Sequence, residues 1–269
     1  MNRIVFFVAT SLLPLGPAAA QDMPDADRFF LRGGLFVPKM NTSLRIDPNN
    51  SNGTGSVVSL EKDMNFDERP VMAFGEGGWR FSDNWRVTFE YFGLDRGETA
   101  VIDRDLVIGD TSYPINASVK GSFKSNVYKV QLGYSMVRSE KAELGVSLGA
   151  HLTDFATSLE GQAAGGAAVK TETRSILAPL PNVGAFGHVR LFGPVNLTGR
   201  VNWLQLKIDN YKGGLTDADI GLAWHLARHF SATASWRIIS YRLDVEREQF
   251  EGRVRYRFSG PTVGVLATF

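Results

Sequence analysis

The residues best suited to chemistry in this sequence are four histidines and the hydroxyl groups near them. His229 and Ser231 have the shortest spacing between a histidine and a serine. Residues two apart share one face of a β-strand, so the imidazole can reach the serine hydroxyl and activate it for acyl transfer. His229 and Ser231 are therefore the catalytic candidates. The other histidines, at 151, 188 and 225, form no HExxH-type pair, and the chain has no cysteine, so we expect no metal and no cofactor.

A second set of candidates consists of charged residues that fall on one face of alternating segments. This ionic set is Arg32, Glu76, Arg80, Arg86, Glu90, Glu143, Arg190, Arg200 and Arg237. The histidines at 151, 188 and 225 fall on the same faces. Charges of both signs inside a small barrel are costly unless they are paired or hydrated. The set therefore predicts either a salt-bridged plug or a narrow water-filled passage in which the excess of arginine favours anionic solutes.

Apolar and polar residues alternate through most of the chain, which is the period of a β-strand. Between Trp85 and Tyr91 the odd positions are apolar and the even positions are polar, and the same division runs from Val195 to Trp203. Several segments keep this pattern for about 10 residues or more, the length that a tilted membrane strand needs. The ten segments are 28–46, 69–81, 84–102, 117–137, 141–160, 174–192, 195–210, 215–227, 230–246 and 252–269. They predict an all-β, antiparallel up-and-down transmembrane β-barrel with ten strands, or with eight or twelve as alternatives.

Short turns and long polar loops alternate between these segments. The turns lie near 82–84, 138–141, 192–194 and 228–230, and the long loops near 47–69, 97–117 and 161–174. Outer-membrane barrels have short periplasmic turns and long extracellular loops, and an even strand number puts both termini on the periplasmic side. Asp209, Asp217 and Asp219 flank a further loop at 211–214. We interpret them as a solvated loop, with divalent cations bridging to lipopolysaccharide as the alternative.

The first 20 residues have the pattern of a secretory signal peptide. Arg3 precedes an apolar stretch from Ile4 to Leu15, and alanines at 18–20 form a small-residue cleavage site. The mature chain is then one barrel domain, residues 21–269. With 29 basic and 28 acidic residues and no basic block, the chain has no electrostatic basis for a nucleic-acid partner.

The chain ends on Phe269, and Val263, Val265 and Ala267 share its face. A terminal phenylalanine that closes an alternating strand, after a signal peptide and this turn–loop rhythm, resembles the small outer-membrane β-barrel proteins of Gram-negative bacteria. The segment 30–38 is similar to the first strand of OmpW-like barrels, although those have eight strands in a shorter chain. The resemblance implies an outer-membrane location, contact with membrane lipid and lipopolysaccharide, and recognition of the last strand by the barrel-assembly machinery.

Several functions remain open at this stage. We expect a non-enzymatic barrel, either a narrow pore for small solutes or a plugged structural and surface-interaction protein. One alternative is a lipid-modifying enzyme, because His229 and Ser231 resemble the His-x-Ser element of lipid A deacylases, although Ala232 stands where those enzymes commonly have asparagine. Another is lateral passage of hydrophobic molecules. Pro179 and Pro181 each remove a donor from the sheet, which marks either a strand end or a seam between two strands.

Overall fold

The computed structural model describes residues 28–48, 55–108, 111–162, 168–208, 211–247 and 250–269, so the predicted signal peptide lies outside the described residues. The strands are β1 Phe29–Phe36, β2 Lys39–Ile46, β3 Val58–Ser59, β4 Met72–Arg80, β5 Trp85–Val101, β6 Leu106–Ile108, β7 Thr111–Tyr113, β8 Ser118–Arg138, β9 Ala142–Gln162, β10 Ala168–Phe192, β11 Val195–Ile208, β12 Tyr211–Ala227, β13 Phe230–Arg247 and β14 Phe250–Thr268. The described part of the chain contains no helix long and apolar enough to cross a membrane.

Ten strands close into an antiparallel barrel, as the sequence predicts. β1 and β2 form the first barrel strand with a break at residues 37–38, and both pair with β14. β4, β5 and β8 to β14 follow in order around the barrel. Backbone hydrogen bonds between Phe29 and Phe269, of 2.9 and 2.8 Å, complete the closure. Around the apolar end of the barrel each of the ten strands therefore pairs with two neighbours, which removes the exposed edges of an open sheet there.

The described parts of the outer loops contain three short strands that are not part of the ten-stranded barrel wall. β3 pairs with β2, and β6 pairs with β7 in a separate hairpin. The predicted loop at 161–174 is wrong in its extent, because β9 continues to Gln162 and β10 begins at Ala168. Pairing from Ala168 opposite Gln162 to Thr173 opposite Thr157 gives these backbone groups partners, so the two strands extend well beyond the length that a bilayer requires.

One end of the barrel has an apolar exterior. On β8 the exposed residues from 128 to 136 at alternate positions are Tyr128, Val130, Leu132, Tyr134 and Met136. The corresponding exposed residues of the other strands complete a ring that we call the apolar band. Aromatic side chains border the band on both sides, as at a membrane interface: Tyr91, Tyr128, Trp203 and Trp236 on one side, and Trp79, Phe81, Trp85, Trp224 and Phe230 beside the short turns.

From Tyr128 toward the end of the barrel that carries the long loops, the outward residues become polar and the inward residues become apolar. On β8, Lys124 and Lys120 point outward while Phe123 and Val119 are buried inside. On β9 the outward residues become polar at Asp154, which lies opposite Asn126 of β8. We call this part of the barrel the outer half. Its apolar interior and polar exterior are those of a barrel surrounded by water.

The described part of the first long loop, residues 55–69, folds into the mouth of the outer half. Leu60, Met64 and Phe66 are buried there. Glu61 accepts hydrogen bonds from the Thr42 backbone N–H at 2.7 Å and from the Arg96 guanidinium at 2.9 Å. Residues 47–69 are predicted as a long polar loop, but three buried apolar side chains and a buried ion pair anchor the segment 55–69.

Candidate functional site

Four charged side chains from four strands meet in the middle of the barrel. Arg237 of β13 binds Asp217 of β12 through two nitrogens, at 2.9 and 3.0 Å, and its other terminal nitrogen binds Glu90 of β5. Lys129 of β8 lies 2.7 Å from Asp217 and 3.5 Å from Glu90. None of the four side chains is more than 3% exposed. We call this group the ionic layer; it connects strands on opposite sides of the lumen.

The ionic layer continues toward the short turns through Arg200. Its guanidinium lies 3.1 Å from Glu90 and 2.9 Å from Glu76, and Arg32 lies 3.6 Å from Glu76. Five residues of the ionic set, Arg32, Glu76, Glu90, Arg200 and Arg237, therefore belong to one network. Because each charge has at least one opposite partner, the network reduces the cost of placing charges inside a barrel.

A second cluster surrounds Glu143 near the short turns. Arg80 donates two hydrogen bonds to this carboxylate, at 2.8 and 2.9 Å, and Ser135 donates another. Arg86 and His188 each approach it to 3.8 Å. The guanidinium of Arg86 also stacks on the ring of Phe186, 3.5 Å from its centre, which is cation–π geometry. Arg190 lies two residues after His188 and therefore on the same face of β10.

A cavity of about 200 Å³ separates these two clusters. The ionisable residues that line it include six basic side chains and three acidic ones: Arg28, Arg32, Arg80, Arg86, Lys129, Arg200, Glu76, Glu90 and Asp219. It reaches Arg28 and Thr268 at the rim that carries the short turns. The lining charges give this chamber an excess of positive charge.

Apolar side chains fill the barrel interior on the other side of the ionic layer, within the described residues. The ring of Phe92 lies 4.9 Å from the Arg237 guanidinium and that of Phe36 lies 5.9 Å away. In the same part of the interior, the rings of Tyr256 and Phe258 stack on each other, with ring centres 4.7 Å apart. The ionic layer thus forms the floor of a hydrophobic core. An eight-stranded barrel is just filled by its own side chains, and here buried aromatic and aliphatic side chains fill this part of a ten-stranded one.

The aspartates near the predicted loop at 211–214 occupy different environments from those expected. Asp217 and Asp219 lie on β12, 1% and 6% exposed, and face the lumen, so their interpretation as a solvated loop is wrong. Gly213 and Gly214 suggest a loop in the sequence, but both pair with β11 as strand residues. Asp209 lies outside the described residues. Lys129 was not among the predicted lumen residues, although the alternation of Tyr128, Val130 and Leu132 places it on the lumen face.

The catalytic candidates contact different partners. His229 Nδ1 lies 2.8 Å from the carbonyl oxygen of Thr268, whereas Ser231 Oγ lies 2.9 Å from His225 Nδ1. The other ring nitrogen of His225 lies 2.9 Å from the side-chain amide of Asn196. The sequence pattern missed the contact between Ser231 and His225 because it forms across the turn between β12 and β13. Ser231 is 2% exposed and does not line the cavity, so a substrate has no access to this hydroxyl in the described structure.

The two prolines lie at a change in strand pairing. Pro179 and Pro181 face Leu152 and Ala150 of β9, and that ladder continues on both sides of them. The ladder between β10 and β11 ends at Val183 and Trp203, although β11 remains paired with β12 as far as Ile208. The backbone N–H of Arg190 donates to the Lys141 carbonyl, on the β9 side. Because alternate residues of a strand donate to the same neighbour, the odd-numbered Pro179 and Pro181 lack donors on the side of β10 that faces β11.

No protein-family model and no curated protein matches the chain by sequence. The outer membrane protease OmpT from Escherichia coli is similar in structure, with a TM-score of 0.56 and 10% sequence identity, over 93% of this chain and 99% of OmpT. The chain has the fold of an outer-membrane β-barrel. The outer membrane protein OprG from Pseudomonas aeruginosa aligns with 90% of this barrel and 96% of its own chain, with a TM-score of 0.41 and 11% identity. At such identities the likeness concerns the fold, and protease activity belongs to OmpT.

Proposed function

We propose that this protein is a closed outer-membrane barrel that conducts no solutes and presents its outer half at the cell surface as a rigid interaction platform. The observation that carries the proposal is the ionic layer. Arg237, Glu90, Asp217 and Lys129 bridge four strands across the lumen, with side chains at most 3% exposed. A path for ions would have to separate these charges, and removing one partner from a buried pair costs about 3–5 kcal/mol.

The outer half supports the second part of the proposal. β8 and β9 are 21 residues each, about twice the length that a tilted strand needs to cross a bilayer. The additional residues have polar exteriors, so they extend the barrel into water above the apolar band. The buried loop segment 55–69 fills the mouth of this extension. An extended barrel whose opening is filled by a loop favours a role in binding a partner over a role as a channel.

The test is ion flux through refolded residues 21–269 in lipid vesicles. We expect chloride efflux no faster than from protein-free vesicles, and no discrete steps in planar bilayers. Insertion is verified in the same vesicles with the variant Lys124→Cys, whose thiol reacts with an impermeant maleimide from the outside. The natural chain has no cysteine, so the label reports this site alone. Discrete anion-selective steps from inserted protein would contradict the closed barrel and support the narrow pore.

The end of the ladder between β10 and β11 favours a second candidate function, lateral passage of a hydrophobic molecule between these strands. Pro181 is exposed on the barrel exterior, next to Val183 where the ladder ends. The variant Pro179→Thr/Pro181→Thr restores two donors on this side of β10. If the seam is a passage, uptake of a fluorescent fatty acid by vesicles should fall in this variant and stay normal in Pro261→Thr, which changes an exposed proline on β14. Equal uptake by both variants would eliminate the passage.

A further inference from the structure

An exposed basic surface lies on the exterior of β13, β14 and β2. Arg255 and Arg257 occupy successive outward positions of β14, and Arg242 of β13 lies directly opposite Arg255. Lys39 of β2 pairs with Ser259, two residues from Arg257, and also points outward. We call Arg242, Arg255, Arg257 and Lys39 the basic patch. Their positions on adjacent strands put four basic side chains on one area of the barrel wall, of which Lys39 lies 3.9 Å from the exposed carboxylate of Glu68.

The three arginines of the patch have no counter-ion among the described side chains. Within the described residues, Arg242, Arg255 and Arg257 form no ion pair or side-chain hydrogen bond, and all three are exposed. Arg253, the next outward residue of β14, differs because it binds Asp244. Like charges placed directly opposite on neighbouring strands repel each other. The pair Arg242 and Arg255 therefore weakens the sheet unless an anion lies between the two guanidinium groups.

The patch lies just beyond the outer edge of the apolar band. Along β14 the outward residues pass from Val263 and Pro261 to Ser259, where the indole N–H of Trp236 donates a hydrogen bond of 3.2 Å to the serine hydroxyl. With a rise of about 3.3 Å per residue and a tilt of about 40°, Arg257 lies about 5 Å above Ser259 and Arg255 about 10 Å above it. The headgroup region extends about 5–7 Å beyond the hydrocarbon on each side of a bilayer. Flexible arginine side chains from this height reach the headgroups.

We propose that the basic patch binds the phosphate groups of a phosphorylated lipid in the outer leaflet, of the kind that lipopolysaccharide provides. Guanidinium groups match phosphate oxygens with paired hydrogen bonds, and an anion between Arg242 and Arg255 removes their repulsion. The apolar band directly below the patch, including Trp236 and Val263, contacts the acyl chains of the same lipid. On the opposite wall, Lys124 of β8 is instead paired with Asp95 at 2.8 Å. The inference depends on the proposed outer-membrane location and is independent of whether the lumen conducts.

The test compares lipid binding by Arg242→Gln/Arg255→Gln/Arg257→Gln with that of the natural chain. Vesicles of phosphatidylcholine containing lipopolysaccharide are the probe, and vesicles of phosphatidylcholine alone are the reference. We expect binding to lipopolysaccharide to weaken about tenfold or more in the variant, because three charge-assisted contacts are lost. The matched control is Lys120→Gln/Lys124→Gln, which removes exposed charge from the outer half on β8 and should leave binding unchanged. Replacement of the three arginines by lysine should restore part of the affinity, since charge is kept while paired hydrogen bonding is lost.

The single variant Arg255→Gln gives a result that a general loss of stability cannot imitate. In detergent without lipopolysaccharide, removal of the repulsion with Arg242 should leave the unfolding temperature equal to that of the natural chain or higher. With lipopolysaccharide present, the order should reverse, because the natural chain gains more from the lipid. Equal stabilisation of both proteins by lipopolysaccharide would overturn the proposal. So would binding of a sulfated polysaccharide that depends on the same arginines while lipopolysaccharide binding does not.

Discussion

The two halves of this barrel have the same alternation of apolar and polar residues, but their apolar residues face opposite sides of the barrel wall. Around the apolar band the outward residues are apolar and the inward ones are charged, whereas in the outer half the inward residues are apolar and the outward ones are polar. β8 shows both arrangements in one strand: Lys129 is buried among charges, and Phe123 is buried in the hydrophobic core six residues earlier. The change occurs near Tyr128, without any interruption of the strand.

The comparison shows that solvent decides which face of a strand is the stabilising one. In a bilayer, apolar residues are stable on the outside of the barrel because they contact lipid. The charged residues in the lumen must then pair with one another. In water, the hydrophobic effect requires the apolar residues to turn inward. The ionic layer and the hydrophobic core meet where Arg237 lies beside the rings of Phe36 and Phe92. The two halves should therefore respond differently to matched substitutions.

The largest expected effect comes from the ionic layer. Arg237→Met leaves Glu90 and Asp217 facing each other, with Lys129 as the cation that both still contact and Arg200 beside Glu90 alone. We expect the free energy of unfolding, measured with urea in lipid vesicles, to fall by about 3–5 kcal/mol. The matched control is Lys124→Met, which breaks an ion pair whose side chains are 55% and 62% exposed and should cost about 0–1 kcal/mol. Similar losses in the two variants would mean that water screens the lumen charges.

Truncation of a phenylalanine tests the other half of the comparison. Phe258 is 1% exposed in the hydrophobic core, and Phe89 is 48% exposed on the apolar band. We expect Phe258→Ala to lower the free energy of unfolding by about 3–5 kcal/mol, since it leaves a cavity as well as losing burial. Phe89→Ala should cost roughly half as much, because lipid fills the space that the ring leaves. A larger loss for Phe89→Ala would contradict a solid core in the outer half.

The sequence predicted the strands because alternation and turn signals are local properties. The ten predicted segments overlap the ten barrel strands. The alternation of residues also predicted the lumen face for Glu90 and Arg200, and both line the cavity in the structure. Alternation does not distinguish apolar residues that face a protein core from apolar residues that face lipid. It therefore did not reveal the exchange of faces near Tyr128. Both sides of that residue alternate in the same way, and only the surrounding solvent differs.

The contacts of the site depend on long-range register, which the sequence does not contain. Glu90 and Arg237 are 147 residues apart and meet only when the barrel closes. Asp217 is interpreted from the sequence as flanking a solvated loop at 211–214, yet the neighbouring strands hold residues 211–214 in the sheet. The burial of loop segment 55–69 was equally hidden, since its Asn-rich and Gly-rich neighbours dominate the composition of 47–69.

A charge placed at two heights on one strand locates the boundary between the halves. Leu148 and Ser158 both point outward on β9, and Leu148 belongs to the apolar band, where it is 62% exposed. Leu148→Arg should lower the free energy of unfolding in lipid vesicles by about 2–4 kcal/mol. Ser158→Arg, in the outer half, should change it by less than about 0.5 kcal/mol. Equal effects at the two positions would move the boundary away from residues 152–154.

The smallest expected effect lies at the boundary itself. The hydroxyl of Tyr91 donates a hydrogen bond of 3.1 Å to Asn126, the first polar outward residue of β8 beyond the apolar band. Its ring packs on Tyr128 with a centre-to-centre distance of 5.0 Å. Tyr91→Phe keeps the ring contact and removes the hydrogen bond, so the free energy of unfolding should fall by about 0.5–1 kcal/mol. A double-mutant cycle with Asn126→Ala isolates this contact, and a coupling energy near zero would show that water, rather than Asn126, satisfies the hydroxyl at the membrane surface.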